Sequence, residues 1–236
     1  MMSICPAGAA ETSAGFALIE LFASEGCSSC PPADDLLRDL VSQSQKNHKK
    51  VFALSFQVDY WNQLGWKDPF SSNQFTQRQY QYANVLATSS VYTPQMIING
   101  QDAFVGSDGR RAQEGIDKYL KVPAYSTLTL QVEKIDTNHL KIKYEANPIP
   151  EDSVIHFAFV EGGLESQVTA GENGGRTLKH ENIVREFKTM DLKQASGEVE
   201  LILSSEYNFR KSSIIVYIQR TIDMKIFGAQ QVRLEF

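Results

Sequence analysis

The chain has 236 residues, of which 42% are hydrophobic and 22% charged, the composition of a folded protein with one or two domains. Its net charge of -5 comes without a basic patch, so we expect no nucleic-acid partner. No apolar run approaches the roughly 20 residues of a membrane span. Three cysteines are too few for a disulfide-stabilised scaffold.

The N-terminal segment contains Ala7-Gly8-Ala9, a pattern of small residues typical of a signal-peptide cleavage site. No charged and apolar segments precede it. The sequence therefore indicates either a signal peptide that has lost its start or an ordinary unstructured leader. On the first interpretation the protein is periplasmic or secreted, and Cys5 belongs to the removed segment.

Residues 16–22 form an apolar run interrupted only by Glu20, which predicts a buried strand. Apolar residues at helical spacing follow at Leu36, Leu37, Leu40 and Val41. Two prolines come directly after Cys30, and proline is tolerated in a helix only near its start. Both Cys27 and Cys30 are therefore predicted at a helix N-terminus, directly after a strand.

The remaining elements of the first half alternate between strand and helix. They are a strand at 51–58, a helix capped by Ser71 or Ser72, strands at 95–99 and 101–105, and a helix capped by Ser107 or Asp108. Alternation of this kind predicts parallel β-α-β units, and Asn99-Gly100 predicts a closing hairpin.

From Pro123 onward the pattern changes to short, mostly alternating strands without a convincing helix. We predict seven strands, at residues 127–135, 140–146, 154–161, 183–190, 198–203, 214–221 and 232–236. This pattern is typical of an immunoglobulin-like β-sandwich. The predicted domains are residues 16–122, with an insertion at 59–72, and residues 123–236. The glycine-rich stretch 162–182 is interpreted as a binding loop or an interdomain contact, and no partner is evident for its Arg176 and His180.

The Cys27-Ser28-Ser29-Cys30 sequence favours redox chemistry. A disulfide closing a four-residue loop stabilises a fold by only about 2 kcal/mol, which is little for a structural link. A helix N-terminus stabilises a thiolate, so Cys27 is the predicted nucleophile and Cys30 the resolving cysteine. An inert disulfide is the alternative.

Metal binding is the other alternative for the cysteine pair. Zinc needs about four ligands, and neither Cys5 nor the histidines stand at ligand spacing. A metal carrier that uses the pair and one further ligand stays open.

The order of elements, the Cys-x-x-Cys pair and Thr93-Pro94 before a hairpin together resemble a thioredoxin-like fold. That resemblance implies that Pro94 follows a cis peptide bond and lies against the cysteine pair. It also implies that Thr93 offers backbone groups to a substrate chain.

A narrower resemblance covers nearly the whole chain. Five segments are similar to the DUF1223 family of bacterial thioredoxin-like proteins: residues 22–34, 58–70, 91–96, 171–178 and Gly228-Ala229. The resemblance implies a signal peptide and redox chemistry, but no substrate, since the family is named for unknown function. We expect a histidine in the family where this chain has Gln57, so a role for that histidine does not carry over.

The stretch at 59–70 follows the carboxyl end of a predicted parallel strand, the sheet edge where sites form. Tyr60, Trp61 and Trp66 are therefore predicted to wall the redox site and bind substrate, or else to pack the insertion onto the domain. Asp59 is a candidate proton relay for the buried cysteine, with a solvated or capping carboxylate as the alternative. Glu20 is a second candidate relay, with a strand-edge or paired carboxylate as the alternative.

We therefore expect a thioredoxin-like α/β domain followed by an immunoglobulin-like sandwich, acting outside the cytoplasm as a thiol–disulfide oxidoreductase. Its partners are protein or small-molecule thiols and disulfides, and it needs no organic cofactor and no metal. The alternative is a non-catalytic binding module or metal carrier with a static disulfide.

Overall fold

The computed structural model of the protein describes residues 14–88, 90–203 and 207–236. Cys5 and the Ala7-Gly8-Ala9 pattern lie outside these residues, so the interpretation of the N-terminus stays a prediction.

The first half of the chain contains the elements that its patterns predict. They are β1 (Ala17–Ala23), α1 (Pro31–Lys46), β2 (Val51–Gln57), α2 (Asn73–Val85), β3 (Gln95–Ile98), β4 (Asp102–Val105) and α3 (Gly109–Leu120), with a short 3-10 turn at Asn62–Leu64. Of the predicted caps, Ser72 accepts from Gln74 N and Asp108 accepts from Arg111 N. Local polarity and capping thus predict these elements well.

In the described residues of the second half, the regular elements are strands and one short 3-10 turn at Phe209–Lys211. Its strands are β5 (Thr127–Lys134), β6 (His139–Asn147), β7 (Ser153–Glu161), β8 (Leu164–Gln167), β9 (Thr177–His180), β10 (Ile183–Asp191), β11 (Ser196–Ile202), β12 (Ser212–Arg220) and β13 (Ile226–Arg233). The stretch predicted as a long loop contains the β8–β9 hairpin, and the last strand begins earlier than predicted.

The strands of the two halves join in one sheet. Eight strands pair in the order β13-β12-β7-β10-β2-β1-β3-β4, and separate sheets are formed by β11-β6-β5 and by β8-β9. The junction is a parallel contact of β10 with β2, at Ile183 and Ser55. Asn182 reinforces the junction, because its carbonyl oxygen accepts from Ser55 N and its side chain donates to Ala53 O.

The predicted pairing of a thioredoxin-like domain with an immunoglobulin-like sandwich is therefore wrong. The eight-stranded mixed sheet draws strands from both sides of residue 122, so the fold does not divide into those two architectures. The physical reason is that β2 would otherwise present an open edge, which β10 covers. The division into two domains at residues 122–123, between α3 and β5, stays a prediction.

Both faces of the sheet are covered. On one face of β1, Ile19 and Leu21 pack with Cys27, Cys30 and residues of α1, β3 and α3. On the other face, Leu18 and Phe22 pack with residues of α2 and of the strands from the second half. The β11-β6-β5 sheet packs on the outer part of the large sheet, against β7 and β12. Within the described residues, no helix is long and apolar enough to cross a membrane.

Candidate functional site

The two cysteines form a disulfide at the junction of β1 and α1. After β1 ends, Cys27 N donates to Ser24 O at 3.1 Å and closes a tight turn. Cys30 is the N-cap of α1, and its carbonyl oxygen accepts from Ala33 N and Asp34 N. Pro31 and Pro32 occupy the first helical positions, where no backbone donor is needed. The predicted placement of the pair at a helix N-terminus is confirmed.

The disulfide is closed off from solvent. Cys27 is 0% exposed and Cys30 is 1% exposed, whereas the Ser28 and Ser29 side chains between them are exposed. Ser29 Oγ lies 3.3 Å from Cys27 Sγ and 3.5 Å from Thr93 O. A substrate thiol can therefore reach neither sulfur in this conformation.

The Thr93–Pro94 peptide bond is cis and lies beside the start of α1. Pro94 O accepts from Gly106 N at 2.9 Å. A Cβ atom placed on Gly106 would lie 3.0 Å from Pro94 Cβ and 3.3 Å from Ala33 Cβ, so the absence of a side chain allows this close packing. Thr93 and Pro94 are thus brought to the cysteine motif.

The aromatic residues of the insertion do not all face the same way. Trp61 Nε1 donates to Thr93 Oγ1 at 2.9 Å, and Trp66 Nε1 donates to Glu25 Oε2 at 2.7 Å. Tyr60 instead donates its hydroxyl to Gln79 of α2, and burial raises its pKa to about 12. Both tryptophans therefore contact the cysteine motif or its neighbours, and Tyr60 anchors the insertion to α2.

Neither candidate relay residue is bonded to the cysteine motif. Glu20 belongs to the opposite face of the sheet, since Ile19 and Leu21 are the β1 residues that pack with the cysteines. Asp59 Oδ1 accepts from the Thr76 hydroxyl of α2 at 2.6 Å, so it joins the insertion to α2 without capping the helix, whose N-cap is Ser72.

Glu20 lies in a buried network that we call the arginine cluster, consisting of Glu20, Arg78, Tyr82, His156, Tyr217 and Gln219. Arg78 Nε donates to Glu20 Oε1 at 2.7 Å, and both the Tyr82 and Tyr217 hydroxyls donate to Glu20. Burial and the nearby Arg78 charge hold the pKa of His156 well below its usual range. Glu20 is therefore a paired carboxylate.

A second buried network adjoins the disulfide, and we call it the histidine cluster: Glu25, Asp34, Asp68 and His180. His180 Nε2 lies 3.1 Å from Glu25 Oε1, and His180 Nδ1 lies 3.7 Å from Asp34 Oδ2. Asp68 Oδ2 accepts from Glu25 N at 2.9 Å. Glu25 precedes Cys27 by two residues and Asp34 follows Cys30 by one helical turn, so the cluster includes residues on both sides of the cysteine motif along the chain.

The charges of the histidine cluster shift each other's ionisation. Burial alone would lower the pKa of His180, but Asp34 and Glu25 outweigh it and raise the pKa to about 9. Burial raises the pKa of Asp34 in spite of His180, and burial raises the pKa of Asp68 to about 6. Hydrogen bonds from His180, Ser166 and Trp66 outweigh burial at Glu25 and lower its pKa. Of these groups, Asp68 has the pKa nearest to neutral pH.

The β8–β9 hairpin carries His180 and covers the cysteine motif. Glu172 Oε2 accepts from Ser28 N at 3.0 Å. Asn173 Nδ2 donates to Glu25 O at 2.8 Å and to Cys27 O at 2.9 Å. Arg176, without an evident partner in the sequence, donates to Asn173 Oδ1 at 2.8 Å. The long glycine-rich stretch was the one sequence signal that pointed to these residues.

Gln57 is buried at the end of β2. Its Nε2 donates to Ser55 Oγ at 3.0 Å, and its Oε1 has no hydrogen-bond partner among the described residues. Among residues 14–88, 90–203 and 207–236, no group of three or more His, Cys, Asp or Glu side chains is placed to hold a metal ion.

The disulfide at the start of α1, with a buried ionisable cluster formed in part by residues on either side of it in sequence, is the candidate functional site of this mixed-sheet fold. The model of the family described as "Protein of unknown function (DUF1223)" matches residues 18–219. The chain belongs to this family.

Among solved structures, the chain is similar to protein AGR_C_4864 from Agrobacterium tumefaciens, with 28% identity, a TM-score of 0.70, and coverage of 95% of this chain and 96% of that chain. A domain of the outer membrane lipoprotein Omp28 from Porphyromonas gingivalis matches with 10% identity, a TM-score of 0.31, and coverage of 47% of this chain and 88% of that chain. The second likeness is too low to carry an argument. No curated protein matches the chain.

Proposed function

We propose that the protein is a thiol–disulfide oxidoreductase acting outside the cytoplasm on protein or small-molecule thiols and disulfides. The observation that carries the proposal is the Cys27–Cys30 disulfide at the N-terminus of α1, beside Thr93 and the cis Pro94. A location outside the cytoplasm suits a protein disulfide, which persists where the environment is oxidising.

The chemistry is a pair of thiol–disulfide exchanges. A substrate thiolate bonds to Cys27 Sγ, the Cys27–Cys30 bond breaks, and Cys30 Sγ departs with the electron pair and takes up a proton. A second substrate thiol, deprotonated to its thiolate, then displaces Cys27, which leaves as a thiolate that the N-terminus of α1 stabilises. The substrate ends as a disulfide and the protein as a dithiol, and the reverse direction oxidises the protein.

Asp34 is the acid best placed to supply the proton to Cys30. Cys30 has helical backbone angles and its O accepts from Asp34 N, so the two residues are neighbours on one face of α1, with about 5–6 Å between their Cβ atoms. Its raised pKa supports the same role. We therefore propose Asp34, rather than Asp59 or Glu20, as the proton carrier.

A redox titration tests the proposal. A Cys5→Ser variant leaves only Cys27 and Cys30 to be counted, and alkylation followed by intact mass measures the free thiols in glutathione or dithiothreitol buffers. We expect a reversible two-electron transition between about -120 and -270 mV, the range of known oxidoreductases. A pair that stays oxidised below about -300 mV would contradict the proposal.

The burial of both cysteines favours a second candidate, a non-catalytic binding module with a static disulfide. Reduction of insulin disulfides by dithiothreitol distinguishes the two. An oxidoreductase accelerates the reaction, loses this effect with Cys27→Ser and keeps it with Cys5→Ser. A binding module shows no acceleration in any of the three proteins.

A further inference from the structure

The loop between β8 and β9, residues 168–176, makes specific contacts with the backbone of the cysteine motif. We call this segment the cover. Asn173 is 0% exposed, and its side-chain amide donates to the carbonyl oxygens of Glu25 and Cys27. Glu172 is exposed and accepts from Ser28 N. The cover therefore occupies one acceptor on each side of Gly26 and one donor beside Cys27.

The contact of Glu172 bears on the reactivity of Cys27. Backbone N–H groups at a helix N-terminus are the donors that stabilise a thiolate. Ser28 N lies two residues before the N-cap of α1 and is the backbone donor directly after Cys27, and the Glu172 carboxylate accepts its hydrogen bond. Hydrogen bonds from the Ser28 side chain and backbone lower the pKa of Glu172, so a negative charge stands beside the disulfide. A second negative charge on Cys27 is disfavoured while the cover is closed.

The loop of the cover is held together by its own hydrogen bonds. Val168 N donates to Arg176 O at 3.0 Å, and Gly175 N donates to Val168 O at 2.8 Å. Gly171 has a φ of +73°, and a Cβ atom on it would lie 3.1 Å from Trp66 Cβ, so the loop backbone packs closely against residues 64–66. Because the loop is bonded internally, it can lift from the cysteine motif without losing its own structure.

We infer that the cover is an autoinhibitory segment that must lift before a polypeptide substrate reaches Cys27. The inference rests on the proposed function. Lifting frees Ser28 N as a donor and the carbonyl oxygens of Glu25 and Cys27 as acceptors. Donors and acceptors along one short segment are what the backbone of an extended chain pairs with. Glu172 and Asn173 thus compete with the substrate for the same groups.

The test measures how fast dithiothreitol reduces the oxidised full chain carrying Cys5→Ser. One reagent thiolate bonds to Cys27 Sγ, Cys30 Sγ leaves and is protonated, and the second reagent thiolate releases Cys27 as the reagent closes into a cyclic disulfide. Samples are quenched with N-ethylmaleimide and the free thiols are counted by intact mass. We expect Asn173→Ala, which removes both hydrogen bonds to the cysteine motif and the bond from Arg176, to raise the rate about tenfold, and Glu172→Ala about threefold.

Glu165→Gln is the matched control, because Glu165 pairs with Lys179 on the exposed side of the same hairpin. Its rate should equal that of the parent. Thermal unfolding of each variant shows whether Asn173→Ala still folds, and if it does not, Glu172→Ala decides alone, since that side chain is exposed. Folded cover variants that react at the parent's rate would overturn the inference.

The experiments distinguish a wrong inference about the cover from a wrong proposal about the function. Excess dithiothreitol reduces even a static disulfide, so the rates test the cover whatever the equilibrium potential. A pair that stays oxidised below about -300 mV but reacts faster in both variants would contradict only the oxidoreductase proposal.

Discussion

The arginine cluster and the histidine cluster lie on opposite faces of the same sheet, and both bury ionisable groups, but they differ in how completely those groups are paired. In the arginine cluster one cation meets one carboxylate, and Arg78 also lies within 5.6 Å of the centres of four aromatic rings. Gln219 is bonded at both ends, accepting from Arg78 and donating to Tyr82 and Met224. Such a network fixes one arrangement of α2 on the sheet.

In the histidine cluster three carboxyl groups share one imidazole, and His180 Nδ1 has no hydrogen-bond partner among the described residues. Full ionisation would leave two uncompensated negative charges, which burial opposes by raising the pKa of Asp34 and of Asp68. The comparison teaches that the closed network pairs its charges completely, whereas the incompletely paired one leaves carboxyl groups with raised pKa values near the cysteine motif.

The largest expected effect comes from breaking the closed network. Arg78→Met leaves the Glu20 carboxylate buried without a cation, which should lower the free energy of unfolding by about 3–5 kcal/mol. Urea denaturation measures this loss. The rate of disulfide reduction in the folded variant should stay unchanged, because the cluster faces away from the cysteines.

A double variant, Glu20→Leu with Arg78→Met, provides the control for this prediction. It removes both charges and should lose clearly less stability than Arg78→Met alone. An equal loss in the two proteins would show that packing of the side chain, and not the unpaired charge, sets the cost.

The next effect is a pH dependence from the histidine cluster. Because the pKa of His180 is raised to about 9, the stabilisation by its charged form is complete below about pH 6.5 and is lost as the pH rises through 9. The free energy of unfolding should therefore fall by up to about 3 kcal/mol over this interval. Urea denaturation at several pH values measures the slope.

His180→Gln should remove this slope, while the neighbouring exposed Lys179→Gln should keep it. If the stability of the parent protein did not change between pH 6.5 and 9, the prediction that charged His180 stabilises the fold would be wrong.

The smallest expected effect is a difference in stability loss between substitutions of Trp66 and Trp61. Trp66→Phe removes a hydrogen bond to the Glu25 carboxylate and should cost about 2 kcal/mol, since bonds to charged groups are the stronger ones. Trp61→Phe removes a neutral bond to Thr93 Oγ1 and should cost about 1 kcal/mol. Thermal unfolding compares the two, and the reverse order would show that ring packing dominates over the hydrogen bonds.

Much of the local structure follows from the sequence. The two prolines after Cys30 place the start of α1, Ser72 and Asp108 cap their helices, and alternating polarity predicts most strands of the second half. The cysteine pair and Thr93-Pro94 also stand out as motifs. In each case the deciding forces act within a few residues along the chain.

Only the tertiary structure shows which distant segments pair with or pack against each element. A buried strand pattern in β2 and in β10 does not say that the two strands pair, and this pairing overturned the predicted fold class. The assignment of Glu20 to the face opposite the cysteines also needed the sheet.

The partners within the histidine cluster could not be predicted from the sequence either. His180 meets Glu25 across 155 residues, and Asn173 meets Cys27 across 146. Periodicity, capping and motif spacing report which residues are buried and where helices begin, because these depend on neighbours in sequence. The partner of a buried charge depends on how distant segments pack, so the sequence by itself determined the disulfide motif, and the tertiary structure determined the cluster and the cover that surround it.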